Sequence, residues 1–200
     1  MKKTIVFDLG GVLIDWNPRH LYEKVFSDLD EMEYFLKEVC SLDWNSQMDV
    51  DKSFLDGIDE LVPKFPQYEE QIRAYYLRWE ETIRGEFPGT VKILRELKEA
   101  GFPLAALSNW SSETFPRVKD QYEFLSWFTP LVISGHIGYK KPDPEPFQIL
   151  LHELKLDARD CVFIDDMEDN VQEARRQGFE GIQFSSPEQL RADLVKLGLI

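Results

Sequence analysis

Residues 4–18 read TIVFDLGGVLIDWNP. The run from Thr4 to Phe7 is β-branched and apolar without alternation, the pattern of a strand buried on both faces of a parallel sheet. It ends on a single acid, Asp8, and Gly10 and Gly11 follow at once. A carboxylate at the end of a buried strand is costly unless something pairs with it. Two glycines let the chain turn sharply beneath a ligand.

Four more runs of the same kind lie downstream: PLAALS (103–108), LVIS (131–134), CVFID (161–165) and GIQF (181–184). Helical spacing fills the intervals. TVKILRELKEAG (90–101) puts Val91, Leu94 and Leu97 on one face and Gly101 at a C-terminal stop. PEPFQILLHELKL (144–156) begins with Pro, MEDNVQEARRQG (167–178) ends on Gly178, and PEQLRADLVKLG spans 187–198. Strands alternating with helices predict an α/β fold with a parallel sheet of five core strands and right-handed crossovers.

One interval breaks the alternation. From residue 17 to 87 no strand is predicted, only the helical stretches HLYEKVF, MEYFLKEVC, KSFLDGIDELVPKF and EEQIRAYYLRWEETI. Structureless loops longer than about 15 residues are uncommon, so residues 17–87 are predicted to form an inserted helical domain. Stalks near Asp15–Pro18 and Gly85–Gly89 join it to a core made of 1–16 and 88–200. The insertion leaves the sheet just past Asp8, at the carboxyl end of the first strand, where ligands bind in open α/β folds. It is expected to act as a lid.

Composition narrows the function classes. Two hundred residues suffice for one main domain with a smaller insertion, and 43% apolar with 30% charged residues is ordinary for a soluble chain. A net charge of -14 argues against nucleic acid or an anionic membrane as partner. It leaves room for a small anionic substrate, because a bound cation and a few local lysines can reverse the field inside one cleft. Cys40 and Cys161 lie far apart and are expected to be buried free thiols, as suits a reducing compartment. No signal-peptide pattern precedes Asp8, and no apolar stretch approaches the roughly 20 residues of a membrane span. The expectation is a soluble, cytoplasmic monomer.

Polar residues collect at the predicted strand ends: Asp8 on the first, Ser108 and Asn109 on the second, Asp165 and Asp166 on the fourth. After the third comes GHIGYKKPDPEPF (135–147), with Lys141 against Pro142 at a helix start. Singly these fit a turn former, a helix N-cap and a solvated lysine pair. Adjacent acids after an apolar strand repel each other unless a cation sits between them. Together, FDLGGVL, LSN, GYKKPDPEPF and FIDDMEDNVQEARRQG, in this order and at these separations, resemble the four motifs of the haloacid dehalogenase-like (HAD) superfamily. The helical insertion resembles that superfamily's smaller cap class. FDLGGVL with the Asp-Asp doublet and Asn170 is similar to sugar-phosphate phosphatases related to α-glucose-1-phosphate phosphatase and to the phosphatase domain of soluble epoxide hydrolases.

The resemblance implies a Rossmann-like core with an inserted helical cap, and a Mg²⁺-dependent phosphatase of small phosphomonoesters, sugar phosphates among them. Asp8 would be the nucleophile, forming an aspartyl-phosphate that water hydrolyses. The metal would be held by Asp8, the backbone carbonyl of Gly10 and Asp166, with Asp165 close by. Ser108 and the backbone N–H groups around Asn109 would hold phosphate oxygens, Lys141 would neutralise charge on phosphate and Asp8, and Asn170 would tether the metal-binding loop. Specificity would lie on the cap, where the candidates are Trp16, Arg19, His20, Trp44, Asn45 and Met48. Trp44 and Met48 fit a cap core as well as a substrate wall.

One position departs from the pattern. Most phosphatases of the superfamily carry a general acid/base Asp two residues after the nucleophile, and here that residue is Gly10. Haloacid dehalogenases also lack it, since a halide leaves without protonation, but they need no metal and leave the Asp165-Asp166 doublet unexplained. A phosphomutase would need the missing Asp, and a catalytically degenerate binding protein is the non-enzyme alternative. Asp15 is the neighbouring acid available as a surrogate, against its plainer reading as a stalk residue.

Overall fold

The computed structural model describes residues 2–200. Its strands are β1 (Thr4–Phe7), β2 (Ile14–Trp16), β3 (Ile83–Glu86), β4 (Leu104–Ser108), β5 (Leu131–Ile133), β6 (Cys161–Asp165) and β7 (Glu180–Gln183). Five of them form one parallel sheet in the order β5-β4-β1-β6-β7. Successive side chains of a strand point to opposite faces, and here both faces are buried. Ile5 and Phe7 of β1, Leu104 and Ala106 of β4, and Val162 and Ile164 of β6 enter one apolar layer. Val6, Ala105, Leu107, Cys161 and Phe163 enter the other. This is why the strands read as unbroken apolar runs.

The first layer is closed by Val91, Leu94 and Leu97 of helix Pro88–Glu99 and by Leu190 and Leu194 of helix Pro187–Lys196. The second is closed by Phe147 and Leu150 of helix Pro144–Leu154 and Ala174 of helix Glu168–Gln177. Each of these valine, leucine and phenylalanine side chains contributes about 1.5–3 kcal/mol on burial. Helix Glu168–Gln177 stops at Gly178, whose φ of 98° is easy for glycine alone. Both cysteines are free and buried.

The sheet order turns back on itself around β1, which places the carboxyl ends of β1, β4 and β6 side by side at one crevice. Between β2 and β3 come the helices Arg19–Tyr22, Leu29–Tyr34, Leu42–Met48, Phe54–Leu61 and Glu69–Leu77, of which Leu42–Met48 reaches the crevice. Their own apolar centre is aromatic: Tyr22, Phe35, Trp44, Phe54 and Tyr75 interlock with ring centroids 4.8–6.3 Å apart. Trp79 meets Trp110 at 5.5 Å and carries the contact across to the loop after β4. Glu113 accepts the Phe54 backbone N–H at 2.9 Å, and Arg117 donates to the Tyr76 carbonyl at 2.9 Å.

Two features correct the sequence reading. The interval 17–87 is not free of strand: β3 pairs antiparallel with β2, so the helical segment stands on a two-stranded ribbon rather than on two separate stalks. β3 reads Ile-Arg-Gly-Glu and alternates between half-buried and exposed, so it carries no apolar run. The helix Leu42–Met48 was also not among the predicted stretches. It is capped by Ser41, whose hydroxyl accepts the Trp44 N–H at 3.1 Å.

Candidate active site

β1 ends one residue before Asp8, whose backbone N–H continues the sheet by donating to the Ile164 carbonyl at 2.8 Å. The side chain is then turned into the crevice and fixed. Its Oδ1 accepts the Leu9 N–H and the Ser108 hydroxyl, each at 2.7 Å, and its Oδ2 lies 3.0 Å from Lys141 Nζ. Ser108 is the last residue of β4, the neighbour of β1.

Lys141 is fully buried and spends its ammonium on three oxygens: Asp8 Oδ2, Asp165 Oδ2 at 2.6 Å and the Leu107 carbonyl at 2.8 Å. Burial alone would pull this lysine down, but Asp165 and Asp8 hold it above its ordinary value. Asn109 does something the sequence did not suggest. Its side-chain amide donates to the Lys141 carbonyl and accepts the Lys141 N–H, both at 2.8 Å, locking the backbone that carries the ammonium.

Asp165 and Asp166 play different parts. Asp165, the last residue of β6, is wholly buried; its oxygens accept from Lys141 Nζ, the Met167 N–H and the Asn170 amide. Asp166 lines the cavity above it. Ligand oxygens of Asp8, Asp165 and Asp166 lie within 4.8 Å of one another. Burial raises Asp8, Lys141 opposes, Asp165 and Asp166 add to the rise, and the carboxyl stands at about 7. Burial and Asp165 raise Asp166 as well. Three carboxylates against one ammonium leave negative charge uncompensated, and an all-oxygen donor set fits a hard divalent cation such as Mg²⁺. Since Asp165 is committed to protein donors, Asp8 and Asp166 are the carboxylates left free to face a cation. Gly11 permits their approach: at φ 72° it passes Asp166 so closely that a Cβ there would lie 2.5 Å from Oδ2.

These groups form the floor of a cavity of about 390 Å³, within the range of small-molecule sites. The walls are Trp16, Trp79, Trp110 and Met167, and the helix Leu42–Met48 supplies Asn45 and Ser46. Trp16 stands at the ribbon's end, with its indole Nε1–H buried and unpartnered. Of the expected specificity residues Trp16 and Asn45 line the cavity, and the other four are elsewhere. Arg19 is half-exposed and ion-paired with Glu33; His20 Nε2 bonds Asp15 at 2.9 Å; neither lines the cavity. Trp44 and Met48 belong to the aromatic centre of the helical segment, Trp44 donating to the Gly57 carbonyl at 3.2 Å. Asp15, tied to His20, is also outside the cavity.

Sequence reasoning missed Asp49, which follows the helix Leu42–Met48 and lines the cavity. Burial raises its carboxyl to about 7, against the pull of Lys140 and the Ser111 N–H. Lys140 also grips this helix, donating to the Ser46 hydroxyl and carbonyl at 2.9 and 3.1 Å.

A family model described as haloacid dehalogenase-like hydrolase matches residues 2–178. The chain is 26% identical to sesquiterpene phosphatase astK of Aspergillus oryzae, over 92% of this chain and 90% of that one. It is 27% identical to phosphoglycolate phosphatase of Aquifex aeolicus, over 88% and 81%. It is also 22% identical to drimenol cyclase drtB of Aspergillus calidoustus, of which it spans only 37%. Among solved structures, a HAD family enzyme of Bacteroides thetaiotaomicron in complex with magnesium and inorganic phosphate superposes with a TM-score of 0.69, at 20% identity over 92% of this chain and 95% of that one. The L-2-haloacid dehalogenase of Xanthobacter autotrophicus superposes at 0.62, with 18% identity over 100% and 85%. With a model match across nearly its whole length, the chain belongs to the haloacid dehalogenase-like hydrolase family.

Proposed function

We propose that this hydrolase is a Mg²⁺-dependent phosphatase of small phosphomonoesters that works through an aspartyl-phosphate on Asp8. The observation that carries the reading is the setting of Asp8: one carboxylate, with Oδ1 fixed by two hydrogen bonds and Oδ2 beside a buried ammonium, in a cluster of three acids. These bonds hold the nucleophile in one orientation at the crevice. Asp8 attacks phosphorus, Ser108 and Lys141 hold the phosphoryl oxygens, and Asn109 keeps Lys141 in place. Asp8 and Asp166, with the Gly10 carbonyl, would hold the ion; bound there, Mg²⁺ offsets the repulsion between the carboxylate and the anionic substrate. Asp165 and Asn170 support the loop beneath it.

The helical segment 17–87 acts as the cap that closes over the substrate. Three tryptophans in the wall favour a leaving group with an apolar face, an aromatic ring or the CH face of a sugar. The unpartnered Trp16 N–H is a donor for one oxygen of that group. Phosphatase relatives of nearly the chain's own length support the reading. The rival, 2-haloacid dehalogenation, draws on Gly10 and the dehalogenase fold likeness; the acid cluster favours the phosphatase. A panel of phosphomonoesters assayed with Mg²⁺ and with chelator decides between them. Phosphate release that chelator abolishes is the expected result, and chloride release from a 2-haloacid without metal would overturn it.

A further inference from the structure

We infer that Asp49, carried on the helical segment, is the general acid and base that Gly10 does not provide. The inference rests on the phosphatase reading and goes beyond it by naming the proton carrier. In-line displacement puts the leaving oxygen opposite the attacking one. Asp8 attacks from the sheet end, so the leaving oxygen points away from the sheet, toward the helix Leu42–Met48. Among the described residues, the titratable side chains lining this cavity are Asp8, Asp166, Lys141 and Asp49. The first three lie on the floor, as nucleophile, metal donor and ion-paired ammonium. Asp49 alone of the four is carried by the helical segment, and among the described residues it has no ion partner within 4 Å.

Its surroundings suit the role. Lys140 and the Ser111 N–H favour the carboxylate, burial favours the acid, and the buried Tyr75 phenol lies near with its hydroxyl unpartnered. Asp8, Asp166 and Lys141 line the same cavity. The balance places its carboxyl at about 7, which serves both directions of proton transfer near neutrality. In the first step the Asp8–phosphorus bond forms, the phosphorus–oxygen ester bond breaks, and the Asp49 proton passes to the leaving oxygen. In the second, water attacks phosphorus, Asp49 takes its proton, and the Asp8 carboxylate is released with inorganic phosphate. One ester and one water give one alcohol and one phosphate.

The test compares wild type with Asp49→Asn under Mg²⁺ in quenched flow. Its two substrates are similar in size: p-nitrophenyl phosphate, whose leaving group needs no proton, and benzyl phosphate, whose leaving group does. The variant is expected to lose at least about 100-fold in benzyl alcohol release. It should still give a stoichiometric burst of p-nitrophenol, then turn over slowly because the second step lacks its base. The fall of wild-type kcat for benzyl phosphate above about pH 7 should vanish in the variant. Gly10→Asp in the Asp49→Asn background should restore benzyl phosphate turnover, since a Cβ at Gly10 meets nothing within 4 Å. Melting curves establish that the variants fold, and Asp49→Ser repeats the test if Asn disturbs the Ser111 contact. Equal losses for both substrates without a burst, or a raised KM with unchanged kcat, would overturn the inference. Absence of phosphate release by wild type from either ester would instead overturn the phosphatase reading on which it stands.

Discussion

Asp8 and Lys141 form a buried ion pair whose remaining bonds leave little slack. Breaking such a pair by removing one partner costs about 3–5 kcal/mol, because the other charge stays buried. Lys141→Ala is therefore expected to lower Tm by roughly 10 °C as well as to abolish turnover. Asp8→Asn keeps the shape and should retain the fold while losing at least about 1,000-fold in kcat; activity above a tenth of wild type would remove Asp8 from its role. The two glycines that follow differ sharply. Gly10 has ordinary backbone angles and open space, so Gly10→Ala should leave Tm within about 2 °C of wild type. Gly11 has neither, and Gly11→Ala is expected to displace Asp166 and raise the Mg²⁺ concentration at half-maximal activity at least about tenfold. An unchanged Mg²⁺ requirement would show that Asp166 is not a ligand.

At the scale of elements, the decisive piece is the helix Leu42–Met48, held over the sheet ends by the two Lys140 hydrogen bonds. Lys140→Ala should raise KM by about threefold to tenfold, the scale of one hydrogen bond. Because Lys140 lowers the Asp49 carboxyl, its loss should also move the basic limb of the pH–rate profile to higher pH; a limb that stays in place would separate the two residues. The five sheet strands and the four core helices were legible because each is apolar on the faces it buries, and the acids at the strand ends stood out against those runs. β3 was not legible, since a ribbon of two strands with one half-exposed face has no apolar signature. The helix Leu42–Met48 offered only the Ser41 cap and two apolar side chains four apart, Trp44 and Met48. Asp49 was invisible for a deeper reason: it shares a cavity with Asp8 only through tertiary closure, and nothing in its local sequence distinguishes it from the chain's surface acids. Arg19 and His20, by contrast, looked functional by type but lie outside the cavity, Arg19 paired with Glu33 and His20 bonded through Nε2 to Asp15.

For the molecule as a whole, the site is maintained at the expense of stability. Asp49 titrates at about 7 in the folded protein against an ordinary value of 3.8, so the folded state binds its proton more tightly than the unfolded state. The stability it contributes is complete below about pH 4 and is lost as pH rises through about 7. Asp49→Asn should therefore melt higher than wild type at pH 8, by a margin that shrinks as pH falls toward 4; a margin independent of pH would contradict the assignment. Mg²⁺ should raise the melting temperature of wild type, since a ligand of the folded state stabilises it, and should do so much less for Asp166→Ala. The central claim is that Asp8 becomes phosphorylated. The most direct measurement is acid quenching of the enzyme during turnover of a phosphomonoester with Mg²⁺, followed by peptide mass spectrometry. The expected result is a single phosphoryl increment on the peptide containing Asp8, absent from Asp8→Asn. Steady phosphate release with Asp8 unmodified throughout, or a phosphoryl group on another residue, would contradict it.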